Sequence, residues 1–412
     1  MSDSSSTHAP TAQSERFQIL DVLRGFALLG VLIANLVELG GQDVLATADQ
    51  LAALPSANVD TRTNWLLNLL VFDKFNTLFA VLFGAGFWIM MERLSKRGAA
   101  FEQIYLRRIT LLTAFGFVHL FGWFAWDILH LYGLMAFILF YSRRLPDRAL
   151  FWIGFALLAF ARPLIEGLKA QSGALSAISD TAFTDAAILE RQTAAVSGNF
   201  FEWVGAMNSM TWIDWFLSGT VIAWLTYTLG RFYIGAWIAR QGWVETAESR
   251  LDWMRKWTLP ILVVGFGLEA LSLSLQDAPR ASWAAAAALL PDVLQGVATP
   301  MIAAGYVCVL SLIFFSPRLS WLVQPFAPVG QMALTNYLLQ SPFIIFILTG
   351  IGPGLGLVGR AGSTDYMLFA LGFILFQMIF SAFWMRAFQY GLAEWVWRAA
   401  TYRTWPKMRR SA

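Results

Sequence analysis

Long apolar runs recur along nearly the whole chain and constrain its fold more than any other feature. A helix needs about 20 predominantly apolar residues to cross a bilayer. Runs of this kind lie near 19–39, 72–91, 105–124, 126–141, 148–166, 211–238, 257–275, 287–315, 329–349 and 365–388. Only 13% of the residues are charged, which is too few to cover a water-soluble surface. The sequence therefore predicts an all-α, polytopic bundle of about ten transmembrane helices and excludes a soluble globular enzyme.

The remaining composition excludes other classes of protein. The only cysteine, Cys308, lies inside an apolar run, so a disulfide framework and a cysteine metal cluster are not expected. The net charge is only +3, and Lys and Arg form short clusters between the apolar runs, which indicates a membrane protein and not a nucleic-acid partner. The polar, Ser-rich segment 1–18 has no basic n-region, which predicts a disordered N-terminus without a removable signal peptide.

The distribution of basic residues predicts the orientation of the bundle. If the N-terminus is cytoplasmic, 22 of the 29 Lys and Arg residues fall on the inner face, including those of the tail 403–412. The seven on the outer face are Arg62, Lys74, Arg162, Lys169, Arg191, Arg280 and Arg360. The positive-inside rule then places both termini in the cytoplasm. A five-helix half at 19–166 is followed by an extracytoplasmic loop at 167–210, where short surface helices are expected, and by a second five-helix half at 211–402.

Ionisable side chains in the predicted outer half of the membrane are the strongest indication of a site, because such groups are costly in a bilayer. His119 lies about one turn before the connection between the third and fourth spans, and His130 lies about one turn after it. Asp127 shares a helix face with His130, and a carboxylate beside a histidine is the usual general-base arrangement. Asp127 fits the N-cap of the fourth helix equally well. Alternatively, each histidine could serve solely to hydrogen-bond a neighbouring helix. A zinc site is not favoured, because the sequence has no HExxH-type spacing.

Other polar groups are expected near this site. Asn35, near the outer end of the first span, could hydrogen-bond a carbonyl or bridge two helices. Asp73 and Lys74 open the second span, either as a self-paired ion pair or with Lys74 holding an anion at the outer mouth. Arg162 and Glu166, four residues apart, are expected to pair. We predict that five polar side chains converge on one cavity in the outer half of the bundle: Asn35, Asp73, His119, Asp127 and His130.

Several motifs resemble those of the YeiB-like family of bacterial membrane proteins. They are LDVLRGFALLGVLIAN at 20–35, KFNTLFAVLFGAG at 74–86, GQMALTNYLLQS at 330–341 and EWVWRAATY at 394–402. The resemblance covers nearly the whole chain, implies a multi-pass protein of the bacterial inner membrane, and places the family's C-terminal domain of unknown function at about 230–402. The motif positions are Asp21, Gly25, Thr335, Asn336, Tyr337, Glu394 and Arg398. Gln331 departs from the family's usual arginine.

The first span is also similar to that of a larger group of transmembrane acyltransferases, which includes the lysosomal heparan glucosamine N-acetyltransferase. The shared residues are Asp21, Arg24, Gly25 and Asn35. This resemblance implies transfer of an acyl group from cytosolic acyl-CoA, a donor substrate and not a bound cofactor, to an outer sugar or amine. The acetyltransferase carries a histidine in the loop after its first span, whereas the loop 40–63 has none.

The resemblance and the polar residues together imply a set of roles. His119 or His130 would be the general base, Asp127 its orienter, and Asn35 a donor to the developing oxyanion. Three basic residues near the inner face would meet the phosphates of acyl-CoA: Arg24, Arg107 and Arg108. The alternatives are a small-molecule transporter that uses the outer histidines and carboxylates, and a scaffold for an envelope complex. No oligomeric state is predicted.

Overall fold

The structure, a computed structural model, describes residues 18–41, 44–96, 101–276 and 288–410. Nearly all of the predicted polar N-terminus lies outside these ranges. Within them, regular structure is helical, and pairing of extended backbone is limited to one antiparallel bridge between Phe388 and Arg409. The predicted all-α fold is confirmed.

The helices coincide with the apolar runs and with the amphipathic segments between them. The N-terminal part contains α1 (Gln18–Gly40), α2 (Ala48–Ala52), α3 (Ala57–Leu70), α4 (Lys74–Lys96), α5 (Phe101–Gly122), α6 (Leu129–Tyr141) and α7 (Asp147–Ala156). The middle contains α8 (Arg162–Ser172), α9 (Ala174–Thr181), α10 (Asp185–Val196) and α11 (Phe200–Met210). The C-terminal part contains α12 (Thr220–Arg240), α13 (Leu251–Gln276), α14 (Leu290–Phe314), α15 (Phe326–Gln331), α16 (Ala333–Leu348), α17 (Ser363–Ala387) and α18 (Leu392–Tyr402).

Seven helical segments of the described chain are long and apolar enough to cross a membrane. They are Gln18–Gly40, Ala57–Lys96, Phe101–Gly122, Asp147–Ser172, Glu248–Gln276, Leu290–Phe314 and Ser363–Ala387. Two shorter apolar helices, α6 and α16, and the 21-residue α12 pack among them. These ten segments correspond to the ten predicted runs, although the number that crosses the bilayer stays a prediction.

Two of the predicted runs do not form one continuous helix. The run at 211–238 is divided into a π-helical turn (Thr211–Leu217) and α12, and between them Gly219 takes a left-handed conformation with φ of 78°. The run at 329–349 is divided at Met332, which has φ of −121° and ψ of 44° and separates α15 from α16. Hydropathy averaged over the length of a span does not detect such breaks, because the few polar residues there, Ser218-Gly219-Thr220 and Gln331, lie between long apolar stretches.

The first helix, α1, lies at the centre of the bundle. Its most apolar stretch is 78% buried, against 50% or less for the other six long segments. It packs against α4, α15, α16 and α17. Gly25 lies so close to the carbonyl of Phe326, and Gly330 so close to the carbonyl of Asp21, that a Cβ at either glycine would overlap with backbone. Small residues permit this approach of two helices, which gives both glycines of the family-like motifs a packing role.

The long helices present an apolar surface to their surroundings. On α17 the side chains of Leu368, Leu375, Ile379 and Phe383 are each more than half exposed and recur at helical spacing. In water a continuous apolar face of this kind would promote association. In a bilayer it is the surface that lipid chains solvate, so the exposed residues support a membrane protein.

The segment between the two halves contains the short helices that the sequence predicts for 167–210. Arg191 on α10 ties this segment to the loop after α1, because its guanidinium donates to the carbonyl of Val44 at 2.8 Å and to that of Ala182 at 2.6 Å. Burial lowers the pKa of Arg191 to about 10, which still leaves it charged at neutral pH. The helices α8 to α11 therefore cover the end of the bundle at which α1 terminates. We call this end the outer end, following the charge distribution, and the opposite end the inner end.

The predicted orientation can be tested by cysteine labelling of intact cells. Ser172 and Ser95 are both exposed and lie at opposite ends of the bundle. In a Cys308→Ala background, which removes the only native thiol, a membrane-impermeant maleimide should label Ser172→Cys in intact cells. It should label Ser95→Cys only after permeabilisation. The opposite pattern would contradict the predicted orientation.

Candidate functional site

The connection between α5 and α6 carries the candidate site. α5 ends at Gly122 and α6 begins at Leu129, and in the turn between them Trp126 adopts φ of 61°. Positive φ is uncommon for a residue with a bulky side chain, and strained backbone tends to cluster at functional sites. The turn directs Asp127 back into the bundle, where its side chain is fully buried between the two helices.

Asp127 holds both histidines of the hairpin. Its Oδ1 lies 2.7 Å from Nδ1 of His119, and its Oδ2 lies 3.1 Å from Nδ1 of His130. Oδ2 also accepts the backbone N–H of His130 at 2.9 Å, which satisfies a free donor at the start of α6. The sequence left open whether Asp127 pairs with a histidine or is the N-cap of the helix. Asp127 pairs with both histidines, and it accepts a backbone N–H of the first turn although Ile128 holds the N-cap position.

The hydrogen bonds assign the tautomer of each histidine. An ionised Asp127 only accepts, so Nδ1 carries the proton on both rings. Nε2 of His130 accepts from the indole N–H of Trp215 at 3.3 Å and is occupied. Nε2 of His119 lies 2.7 Å from the hydroxyl oxygen of Ser341 and accepts that hydroxyl proton. Of the two histidines, His119 therefore directs a basic nitrogen at a hydroxyl group, whereas His130 does not.

The chain Ser341–His119–Asp127, called here the relay, joins α16 to the α5–α6 hairpin. All three side chains are at most 2% exposed. The hydroxyl of Tyr337, one turn before Ser341 on α16, donates to Oδ1 of Asp127 at 3.2 Å. Sequence reasoning did not single out Ser341, because one serine in an apolar helix normally bonds the backbone of the preceding turn. Its position at the end of the motif GQMALTNYLLQS is the signal that could have found it.

A cavity of about 560 Å³ opens beside the relay at the outer end. Two carboxylates, Glu38 and Asp214, face it. So do three tryptophans and two amides: Trp126, Trp215, Trp224, Asn35 and Asn76. Of the five residues predicted to converge, His119, Asp127 and His130 meet one another. Asn35 lines this outer cavity, whereas His119, Asp127, His130 and Asp73 are not among its lining residues. The relay lies behind Phe124, which lines the cavity and stacks on the ring of His119 with centroids 5.4 Å apart.

A second cavity, of about 230 Å³, lies at the inner end. Four arginines line it: Arg24, Arg93, Arg108 and Arg398. The carboxylates on its wall are Asp21, which is 3.4 Å from Arg24, and Glu394. Two of the three predicted phosphate-binding residues, Arg24 and Arg108, thus face one space. Arg107 does not line it, because its guanidinium donates to the carbonyl of Thr401 at 2.8 Å. The sequence could not distinguish the two neighbours, since their helical phase was unknown.

Glu394 and Thr335 have a structural role at the inner cavity. Glu394 of α18 accepts the backbone N–H groups of Leu334 at 2.6 Å and of Thr335 at 3.2 Å, and it also accepts the hydroxyl of Thr335. It thereby caps the first turn of α16 with a side chain from another helix. Burial raises the pKa of Glu394 in spite of these donors. The cap fixes the start of the helix that carries Ser341.

Asn336 completes the motif by joining three elements. Its side-chain amide donates to the carbonyl of Val329 and to the hydroxyl of Ser381, both at 3.0 Å, and its backbone carbonyl accepts from the side chain of Gln377 at 2.8 Å. Asn336 is fully buried, and each of these bonds satisfies a polar group that would otherwise be costly inside the bundle. In the sequence Thr335-Asn336-Tyr337, Thr335 therefore takes part in the cap, Asn336 packs α16 against its neighbours, and Tyr337 hydrogen-bonds the relay.

Asp73 and Lys74 belong to a separate cluster and not to the relay. Asp73 accepts from Arg162 at 2.7 Å and lies 3.8 Å from Arg231. Lys74 binds Glu269, and both side chains are inaccessible to solvent. The expected Arg162–Glu166 pair and the self-paired Asp73–Lys74 are therefore wrong. Lys74 does not hold an anion at the outer mouth, because its ammonium group is buried against a carboxylate of α13.

Metal binding is not supported by the arrangement of ligand-type side chains. In 18–41, 44–96, 101–276 and 288–410, no group of three or more His, Cys, Asp or Glu residues is placed to hold a metal ion. Both ring nitrogens of His119 and of His130 are engaged in hydrogen bonds to protein atoms. Metal coordination at the hairpin would require these bonds to break.

Comparison with known proteins places the chain in one family. The family described as "Protein of unknown function (DUF418)" matches residues 238–404, close to the predicted 230–402. The uncharacterized protein YeiB of Escherichia coli is 32% identical over 94% of this chain and 97% of its own length. The uncharacterized protein YxaH of Bacillus subtilis is 28% identical over 96% of both chains. No solved structure matches. With its helical membrane fold and its full-length similarity to YeiB, this chain belongs to the YeiB-like, DUF418-containing family of integral membrane proteins.

Proposed function

We propose that this protein is an acyltransferase of the bacterial inner membrane that moves an acyl group from cytosolic acyl-CoA to an extracytoplasmic acceptor. The observation that carries the proposal is the relay of Ser341, His119 and Asp127, with 2.7 Å at each of its two links. A carboxylate on one ring nitrogen fixes the tautomer and strengthens the other nitrogen as a base. Acyl transfer requires such a base to remove a proton from the attacking hydroxyl or amine.

The inner cavity supports an acyl-CoA donor. Its four arginines face two carboxylates, and Glu394 is occupied in capping α16. Arginine is the preferred partner of phosphate groups, because its guanidinium presents several donors in a fixed plane. Arg108 lies 3.6 Å above the ring of Trp397, and its buried Nε has no hydrogen-bond partner. A phosphate at this position would satisfy that donor.

The outer cavity supports an amine or sugar acceptor. Its wall carries the carboxyl groups of Glu38 and Asp214 together with three indole rings. Tryptophan faces attract cations, and they also stack on the apolar faces of sugars. The nearby cations lie behind the wall: Arg162 binds Asp73, and Lys169 binds Thr220 at 2.6 Å. The groups that face the cavity therefore favour a positively charged or neutral acceptor over an anion.

The proposal predicts that the inner arginines determine the affinity for acyl-CoA. In proteoliposomes supplied with labelled acyl-CoA, Arg108→Gln should raise the KM for acyl-CoA about tenfold or more, with a smaller effect on kcat, because a charge-assisted contact to phosphate is lost. Arg108→Lys should retain part of the affinity, because it keeps the positive charge but loses the planar group that packs on Trp397. Comparison of the two variants therefore distinguishes the contribution of the charge from that of the packing. Arg255→Gln is the matched control, since Arg255 is exposed and pairs with Asp252 three residues earlier on α13.

Transport of a small molecule is a second candidate, favoured by the charges buried among α4, α8, α12 and α13. Arg231 is 2% exposed, and its Nε and Nη2 atoms lack hydrogen-bond partners. Ionisable groups in this environment often belong to ion or substrate pathways. If no acyl transfer occurs with any acyl-CoA, while a solute gradient across the liposome collapses only with the intact protein, transport replaces acyl transfer as the function.

A further inference from the structure

We propose that Ser341 carries the acyl group as a covalent ester between the two cavities. The inference deepens the proposed acyltransferase activity and rests on it. It assigns to Ser341 a chemical step, so that the reaction proceeds through an acylated protein and not by direct attack of the acceptor on acyl-CoA.

Both ring nitrogens of the base are already occupied. The hydroxyl of Ser341 holds Nε2 of His119 at 2.7 Å, and Asp127 holds Nδ1 at the same distance. His119 therefore has no nitrogen left for an acceptor hydroxyl or amine while Ser341 is bound. The proton that His119 can remove in this arrangement is that of Ser341. A base that is already hydrogen-bonded to a hydroxyl nucleophile is the arrangement that activates serine in covalent catalysis.

Ser341 lies on α16 between the two cavities. Ala333 and Leu334, at the start of α16, line the inner cavity. Ser341 follows Leu334 by seven residues, which is about 10 Å along a helix. On the other side, Phe124 separates His119 from the outer cavity. A donor bound at one end and an acceptor bound at the other would not meet directly, whereas a carrier between them could exchange with both.

The hydroxyl of Ser341 is shielded from water. Ser341 is 2% exposed, and Tyr337 and His119 beside it are equally buried. Exclusion of water protects a reactive ester from hydrolysis before the acceptor arrives. Pro342 follows Ser341 and has no N–H to give to the carbonyl one turn earlier. The helix is therefore weakened at the point where it would have to admit the acyl group.

The two chemical steps balance. In the first, Oγ of Ser341 bonds to the thioester carbonyl carbon, its proton passes to Nε2 of His119, and the C–S bond breaks. The CoA sulfur leaves with the proton that His119 received. In the second, the acceptor oxygen or nitrogen attacks the ester carbonyl and gives its proton to His119. The C–O bond to Ser341 then breaks, and Oγ recovers the proton. Asp127 stabilises the imidazolium in both steps.

Acid-quenched mass spectrometry of the purified full-length protein tests this inference. After incubation with acetyl-CoA, and in parallel with longer acyl-CoAs, without acceptor, the peptide that contains Ser341 should gain the mass of one acyl group, which hydroxylamine should remove. Ser341→Ala should abolish the adduct and reduce transfer by about 100-fold or more. Ser341→Cys should still be acylated, as a thioester. Ser381→Ala is the matched control, because Ser381 is also fully buried on a neighbouring helix but binds Asn336.

The outcomes separate the inference from the function on which it rests. Acyl transfer that continues in Ser341→Ala, or that proceeds without an adduct on Ser341, overturns the covalent step and leaves the acyltransferase in place. Loss of transfer in Ser341→Ala and Ser381→Ala alike, with equal loss of folded protein by size-exclusion chromatography, also overturns the specific role. If no acyl-CoA gives either adduct or transfer with the intact protein, both proposals are wrong.

Discussion

Replacing His119 by alanine should reduce acyl transfer by about 100-fold or more, because the reaction loses the base that removes the proton of the attacking group. Asp127→Asn should reduce the rate of acyl transfer somewhat less. The asparagine keeps the shape, but its NH₂ group donates, so at least one of the two Nδ1 atoms must give up its proton and change tautomer. Because the two residues act as one unit, the double variant should be little worse than His119→Ala alone. Initial rates of acyl transfer in proteoliposomes measure the effects of the two single variants and the double variant.

His130→Ala provides the control for this series. His130 touches the same carboxylate at 3.1 Å, but its Nε2 accepts from Trp215 and is not available to a substrate. Its loss should therefore reduce the rate less than tenfold. A rate in His130→Ala as low as that in His119→Ala would contradict the assignment of the base. Additive losses in the His119/Asp127 double variant would contradict their action as a unit.

Breaking the buried ion pair between Lys74 and Glu269 should have the largest effect on stability. Both side chains are inaccessible to solvent, so Lys74→Met alone leaves an uncompensated carboxylate in the membrane interior and should cost about 3–5 kcal/mol. The double variant Lys74→Met/Glu269→Leu removes both charges and should recover most of the loss. Unfolding of the purified protein in detergent, followed by temperature or by added SDS, measures the difference.

An exposed pair at the inner end serves as the matched control for the ion pair. Arg255 and Asp252 lie 2.6 Å apart, but their side chains are 65% and 94% exposed. Water already solvates both groups, so removal of either or both should leave the unfolding midpoint unchanged. If Lys74→Met also leaves the unfolding midpoint unchanged, or if the double variant is as unstable as the single one, an unpaired charge in the interior does not have the free-energy cost that we infer.

The fold could be predicted from the sequence because hydropathy reports directly on the environment of a helix. Each apolar run corresponds to a helical segment, and the charge pattern gave an orientation that labelling can test. The breaks at Gly219 and Met332 were not predicted, since an average over the length of a span hides the few polar residues beside them. They depend on backbone conformation, which in turn depends on the packing of neighbouring helices.

The site could be predicted only where its residues are close in sequence. His119, Asp127 and His130 lie on one hairpin, so their spacing was sufficient to predict that they meet. Ser341 is more than 200 residues away along the chain, and only the packing of α16 against the hairpin brings it to His119. The predicted pairing of Lys74 with Asp73 was wrong for the same reason, because their actual partners, Glu269 and Arg162, lie on distant helices. Their adjacency in the sequence was the basis for pairing them with each other.

The division of one carboxylate between two histidines also limits how much positive charge the buried hairpin can compensate. Asp127 supplies a single negative charge, which compensates one imidazolium. A second imidazolium would be an unpaired charge in a site that excludes water, where such a charge is very costly. The single charge of Asp127 therefore matches the one imidazolium that the proposed reaction forms, on His119. The hairpin balances the charge of one transferred proton at a time, so His119 has to release that proton before the next step of the proposed reaction delivers another.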